Sequence, residues 1–246
     1  MATIHCNAVE FQDIQVVLFD KDGTLARSEQ YLRYLGQKRA RMIDAQIPGV
    51  QDPLLMAFGL EGDRINPAGL MAVGTRHENE IAAAAYVAET GRDWIEALTL
   101  VRSSFAEADT VFQRKADNTP IIPDLIPLLD QLVAANLKVG IVSSDTTDQV
   151  QDFIQRYDLA AYMAVALGCE SLPSKPAPDL VLQACQTLGM TPAQTLIIGD
   201  SRADIEMANA ACTAGSIGVT WGWSRSVDLP GATAIATQVA DLTITP

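Results

Sequence analysis

Three short apolar runs punctuate the chain, at residues 16–19, 139–142 and 196–198, and each gives way to small or acidic residues. Runs of this length, polar at one end only, suit parallel strands covered on both faces. Between them the apolar spacing becomes helical. Residues 122–135 carry Pro123 near the first turn, where a missing N–H costs nothing. Segments 147–157 and 178–188 follow, the second stopped by Gly189, and Thr191-Pro-Ala-Gln194 reads as a capping box opening another short helix. Alternation of strand and helix predicts an α/β fold, a doubly wound parallel sheet of Rossmann-like type with right-handed crossovers.

Residues 28–117 break that alternation. Helical spacing runs over 31–47, 78–89 and 94–112, and no strand pattern is visible. The economical reading is an α-helical cap inserted between the first and second strands. The chain then divides into a core, 1–26 with 118–246, and a cap, 27–117, joined by linkers near 26–29 and 116–120.

Composition narrows the partners. With 48% hydrophobic and 19% charged residues the 246-residue chain reads as an ordinary folded protein. A net charge of −13 repels phosphate backbones and acidic membranes, so neither nucleic acid nor membrane is expected as a partner. A small anion held in a locally positive pocket remains open. Cys6, Cys169, Cys185 and Cys212 are scattered and form no CxxC, which fits a reduced, cytoplasmic protein. The first residues lack the apolar stretch of a secretion signal, and no run approaches the roughly 18–20 apolar residues that span a bilayer. Monomer and homodimer both fit this composition.

In open α/β sheets ligands bind at the carboxyl ends of the strands. Those ends carry Asp20-Lys-Asp22-Gly23-Thr24, Ser143-Ser144-Asp145 and Gly199-Asp200-Ser201, with Lys175 in a further segment, SKPAPD. Carboxylates suit a hard cation such as Mg²⁺. A lysine and hydroxyls suit an anion, and glycine lets backbone N–H groups approach it. Together they outline a site for a metal and a phosphate.

This set resembles the haloacid dehalogenase-like superfamily, in the phosphatase branch whose helical cap follows the first motif. Asp20-x-Asp22-Gly23-Thr24-Leu25 matches the first motif, Ser143 the second, Lys175-Pro the third, and Gly199-Asp200-Ser201-x-x-Asp204 the fourth, in order over about residues 12–225. The resemblance implies that Asp20 attacks phosphorus and Asp22 acts as acid and then base. It implies Mg²⁺ on Asp20, the Asp22 carbonyl and Asp200, with Asp204 close by. Gly23, Thr24, Ser143, Ser144 and Lys175 would hold the phosphoryl group. The implied enzyme is a phosphoric monoester hydrolase acting on a small phosphorylated metabolite, with phosphoglycolate first, then nucleotide monophosphates and sugar phosphates. A hexose-phosphate mutase or a catalytically silent binding protein would share the core. Dehalogenation is disfavoured by Asp22, because that chemistry has no alcohol to protonate.

Two departures stand out. Lys21 occupies a position where an apolar residue is frequent, and its side chain is expected to point away. Ser144-Asp145 replaces a frequent asparagine. Asp145 and Ser201 also read as plain helix caps, and Asp204 as an acid in a first helical turn. For specificity the cap offers Arg76 and His77, in Val-Gly-Thr-Arg-His-Glu, with Arg27 near the first linker; the bland alternative is a surface loop that caps the following helix. Trp221 and Trp223 are expected to pack beside the sheet edge, whereas His5 and Cys6 have no readable role.

Overall fold

The computed structural model describes residues 2–111, 114–169, 173–225 and 227–245. Three strands open the chain, β1 (Thr3–Cys6), β2 (Val9–Phe11) and β3 (Val16–Phe19). A helical segment follows: α1 (Glu29–Asp44), α2 (Gln51–Phe58), β4 (Leu60–Glu61), β5 (Arg64–Ile65), α3 (Leu70–Val73), α4 (Arg76–Glu89) and α5 (Trp94–Val111). The remainder alternates: α6 (Leu125–Ala134), β6 (Lys138–Val142), α7 (Thr147–Arg156), β7 (Met163–Leu167), α8 (Asp179–Leu188), β8 (Thr195–Gly199), α9 (Arg202–Ala210) and β9 (Gly215–Val219). Strands β10 (Ala234–Ala236) and β11 (Leu242–Thr245) end it. The chain forms two compact units, Met1–Ser28 with Thr119–Pro246, and Glu29–Asn118.

The first unit is built on a six-stranded sheet of order β10-β9-β8-β3-β6-β7, parallel at every pairing. Every residue of β3 is buried, and its side chains alternate between two cores. Val17 and Phe19 join Leu125, Leu129 and Phe153 from α6 and α7. Val16 and Leu18 join Leu180, Val181 and Met207 from α8 and α9. Burial on both faces explains why β3 is an unbroken apolar run. Helix α7 begins at a capping box between Thr146 and Gln149, and α8 ends where Gly189 turns left-handed at φ 66°.

Strand order reverses beside β3. From β3 the chain builds outward through β6 and β7, then crosses back to β8 and continues through β9 and β10. The carboxyl ends of β3 and β8 therefore flank the switch point, where such sheets bind ligands. The two segments bordering the second unit also run side by side: Arg27 N–H donates to the Pro120 carbonyl at 2.8 Å, and Ile122 N–H to the Leu25 carbonyl at 2.9 Å.

A separate antiparallel sheet, β11-β1-β2, gives residues 3–11 a role that the sequence did not disclose. Cys6 packs into the core from it, and burial pushes its thiol up to about 11 with help from the Asp241 charge. Thr191–Gln194 closes only one 3₁₀ turn, Pro192–Gln194.

In the second unit α4 and α5 pair, and α1 packs on α5. The expected absence of strands from residues 28–117 needs correction, because β4 and β5 form a minimal antiparallel hairpin. Two-residue strands carry no alternation to read. Arg39 is buried here, with its guanidinium 3.0 Å from Asp109 and 4.3 Å from the Phe105 ring centroid. No helix among the described residues is long and apolar enough to cross a membrane.

Candidate active site

Asp20 follows β3 directly, and its N–H donates to the Ile198 carbonyl of β8 at 2.8 Å. That bond extends the β3–β8 ladder to the residue at the strand end and fixes the carboxylate beside the switch point. The turn that follows is tight: the Gly23 N–H donates to the Ala26 carbonyl, and the N–H groups of Leu25 and Ala26 converge on the Lys21 carbonyl. Gly23 has φ +91°, and a Cβ there would lie 2.4 Å from Asp200 Oδ2. Glycine is thus required both by conformation and by the closeness of the neighbouring acid.

Four charged groups converge. Lys175 Nζ lies 2.6 Å from Asp20 Oδ1 and 2.6 Å from Asp204 Oδ1. Asp20, Asp200 and Asp204 are all buried, each offering an oxygen within 4.8 Å of the others. Asp204 sits in the first turn of α9 and forms a capping box with Ser201, whose hydroxyl donates to Asp204 Oδ2 at 2.6 Å. It is both a helix-cap acid and a member of the cluster; the two readings of the sequence coexist. Ser201 confirms its reading as the cap.

Burial pushes the Asp20 carboxyl up to about 6, against the pull of the Lys175 charge and with a further push from Asp204. Burial, then the charges of Asp20 and Asp204, holds Asp200 well above the usual carboxylate range. For Lys175 burial acts downward, but the charges and hydrogen bonds of Asp20 and Asp204 outweigh it and raise it. Three buried carboxylates against one ammonium leave negative charge uncompensated. Their hard oxygen donors fit a divalent cation of the Mg²⁺ class.

The remaining candidates fall into two groups. Ser143, at the end of β6, is buried, and its hydroxyl accepts the Asp145 N–H at 3.1 Å. Ser144 is half-buried, and its carbonyl accepts from the Cys169 thiol at 3.2 Å. The Thr24 hydroxyl, expected on the phosphate, instead donates to Asp200 Oδ1 at 2.7 Å and is wholly buried. It holds a carboxylate in place. Arg27 is exposed. Arg76 and His77 stand in the first turn of α4, capped by Thr75 and Glu78. Arg76 pairs with Glu80 at 2.9 Å and also with Asp109, inside its own unit. The loop before α4 therefore does act as a helix cap, and Arg76 is committed to acids of the same bundle.

Several contacts escaped the sequence reading. The Trp223 indole donates to Asp200 Oδ2 at 2.6 Å, and the Trp221 indole to the Thr24 carbonyl at 2.9 Å. Two tryptophans flanking a glycine were the available signal. Lys21, expected to point away, is buried, with its side chain 1% exposed and paired with Asp22 and Asp145. Asp145 is consequently an ion-pair partner, and the cap of α7 is Thr146. Asp22 also accepts from the Ser28 hydroxyl.

A buried carboxylate beside a lysine and two further acids, at a sheet switch point and opening a DxDGT turn, is the arrangement of one family of hydrolases. The chain belongs to the haloacid dehalogenase-like hydrolases, whose family model matches residues 14–211. Within that family it is a phosphatase, a phosphoric monoester hydrolase. It is 29% identical over 238 residues to the phosphoglycolate phosphatases of Shigella boydii serotype 4 (strain Sb227) and of Escherichia coli (strain K12), covering 95% of this chain and 92% of each relative. Its fold is similar to the crystal structure of a predicted phosphoglycolate phosphatase from Haemophilus somnus 129pt, at a TM-score of 0.65 and 20% identity over 91% of this chain and 94% of that one.

Proposed function

We propose that the enzyme hydrolyses a small phosphorylated metabolite, phosphoglycolate-like esters first, through an aspartyl-phosphate on Asp20. The observation that carries this reading is the pairing of Lys175 with both Asp20 and Asp204 at 2.6 Å, next to Asp200. A lysine so placed holds the nucleophile and offers positive charge to an incoming phosphoryl group.

In the first half-reaction an Asp20 oxygen bonds to phosphorus and the ester P–O bond breaks, its electron pair staying on the leaving oxygen. Asp22 gives that oxygen a proton. In the second, Asp22 takes a proton from water, the water oxygen bonds to phosphorus, and the Asp20–phosphorus bond breaks. The net change is ester plus water to alcohol plus phosphate. Lys175 and the Ser143 hydroxyl offset phosphoryl charge as it develops, which preorganised donors do without reorganising. Asp20, Asp200 and Asp204, with the Asp22 carbonyl, would hold Mg²⁺, which would screen the carboxylates from one another and draw charge from phosphoryl oxygens. A cytoplasmic setting accords with four cysteines that are all free.

The test is phosphate release across a panel of phosphomonoesters, with Mg²⁺ and with a chelator. Turnover of phosphoglycolate above the rest, lost on chelation, is expected. Turnover unchanged by chelation removes the metal-assisted route, and preference for a hexose phosphate with transfer rather than release shifts the reading to a mutase.

A further inference from the structure

Lys21 separates the two aspartates of the first motif, and its burial demands a reason. Its ammonium lies 2.6 Å from Asp22 Oδ1, 2.9 Å from Asp145 Oδ2 and 5.4 Å from the Phe153 ring centroid. Stripping water from a lysine is strongly unfavourable unless partners replace it. An apolar side chain would fill the same space against Phe153 without that cost. The charge at position 21 therefore serves its partners rather than the packing.

Those partners are unequal. Asp145 is fixed from behind: its N–H donates to the Ser143 hydroxyl at 3.1 Å, its carbonyl accepts the Cys169 N–H at 2.9 Å, and the capping box of α7 begins at the next residue. Asp22 lies in the turn after β3, where the Ser28 hydroxyl reaches the same oxygen, Oδ1, that Lys21 holds. Two donors on one oxygen restrict rotation of the carboxyl group.

We propose that Lys21, anchored by Asp145, is a positioning residue that orients the Asp22 carboxyl for proton transfer to the leaving oxygen. This rests on the reaction above, in which Asp22 supplies that proton as the P–O bond breaks. Lys21 itself touches neither phosphorus nor leaving group.

The experiment compares kcat/KM for p-nitrophenyl phosphate, whose leaving oxygen departs without a proton, and for an alkyl phosphate, whose leaving oxygen needs one. Asp22→Asn is expected to lose far more on the alkyl ester; equal losses on both would refute the role of Asp22 in proton transfer and, with it, the proposal for Lys21. Given that result, Lys21→Met is expected to lose about tenfold or more on the alkyl ester and less than about threefold on the nitrophenyl ester, with KM unchanged. Equal losses would make Lys21 a fold residue, and no loss would make it inert; either overturns the proposal. Should Lys21→Met fail to fold, Asp145→Asn keeps the ammonium on Asp22 while weakening its anchor. A selective loss of a few-fold, about threefold, on the alkyl ester is expected there, and a non-selective loss or none overturns the proposal.

Discussion

Trp223 and Asp200 are joined by an indole N–H···Oδ2 hydrogen bond of 2.6 Å, while Thr24 holds the other oxygen of the same carboxylate. Asp200 thus has both oxygens oriented before any cation arrives. Partners of this kind behind a metal ligand set its affinity, and their loss typically costs ~10–100-fold. Trp223→Phe, which keeps the ring and removes the donor, is expected to weaken Mg²⁺ binding about tenfold by titration calorimetry without substrate. The Mg²⁺-dependent change in tryptophan fluorescence should vanish with it, since Trp94 and Trp221 make no such bond. Unaltered affinity would reduce Trp223 to packing.

Gly222 lies against the turn that carries the first motif. A Cβ on it would stand 1.8 Å from the Gly23 carbonyl oxygen, which is backbone and has no side-chain freedom to yield. Gly222→Ala is expected to lower Tm by several degrees and to reduce phosphate release in proportion to the displaced turn, as overpacking of about 1–3 kcal/mol does. A variant with wild-type Tm and activity would show that the two segments move apart easily.

Asp20→Asn replaces the proposed nucleophile by a neutral amide and is expected to abolish phosphate release with the fold intact. Asp22→Asn is expected to cost about 10²–10⁴ in rate, the range for a lost general acid–base. Rapid quenching with labelled ester should trap a phosphoenzyme in the wild type and none in Asp20→Asn. A labelled protein in the latter would move the nucleophile elsewhere.

Arg76 pairs with Glu80 and Asp109, and Asp109 in turn holds the buried Arg39. Arg76→Ala is therefore expected to lower Tm and to change KM for phosphoglycolate and for an aryl phosphate alike. A rise confined to phosphoglycolate would return Arg76 to substrate selection.

The strands most legible in the sequence were those buried on both faces. β3, β6 and β8 announce themselves because nothing polar interrupts them. β1, Thr-Ile-His-Cys, alternates half-buried and buried positions over four residues, too few to distinguish it from a loop. β9, Gly-Ser-Ile-Gly-Val, is mostly buried, but its two glycines and serine interrupt the apolar run. The site divides likewise. Asp20, Lys175, Asp200 and Asp204 belong to a recognisable order of motifs. Lys21 was expected only to point away, because its partner Asp145 becomes a neighbour only through the β3–β6 pairing. The bond from Trp223 to Asp200 was not legible because an indole advertises area rather than its single N–H.

The 2.7 Å bond from Thr24 to Asp200 spans 176 positions of chain. Docking β8 on β3 closes a loop that contains the whole helical unit together with β6 and β7. Closure on that scale, and the non-local pairing it permits, are slow steps in folding. Before it, Asp20 is separated from Asp200 and Asp204, so an early compact chain has no place for a cation. A Mg²⁺ ion held by these acids would thus bind the finished molecule alone. In stopped-flow experiments it is expected to slow unfolding while leaving the refolding rate unchanged.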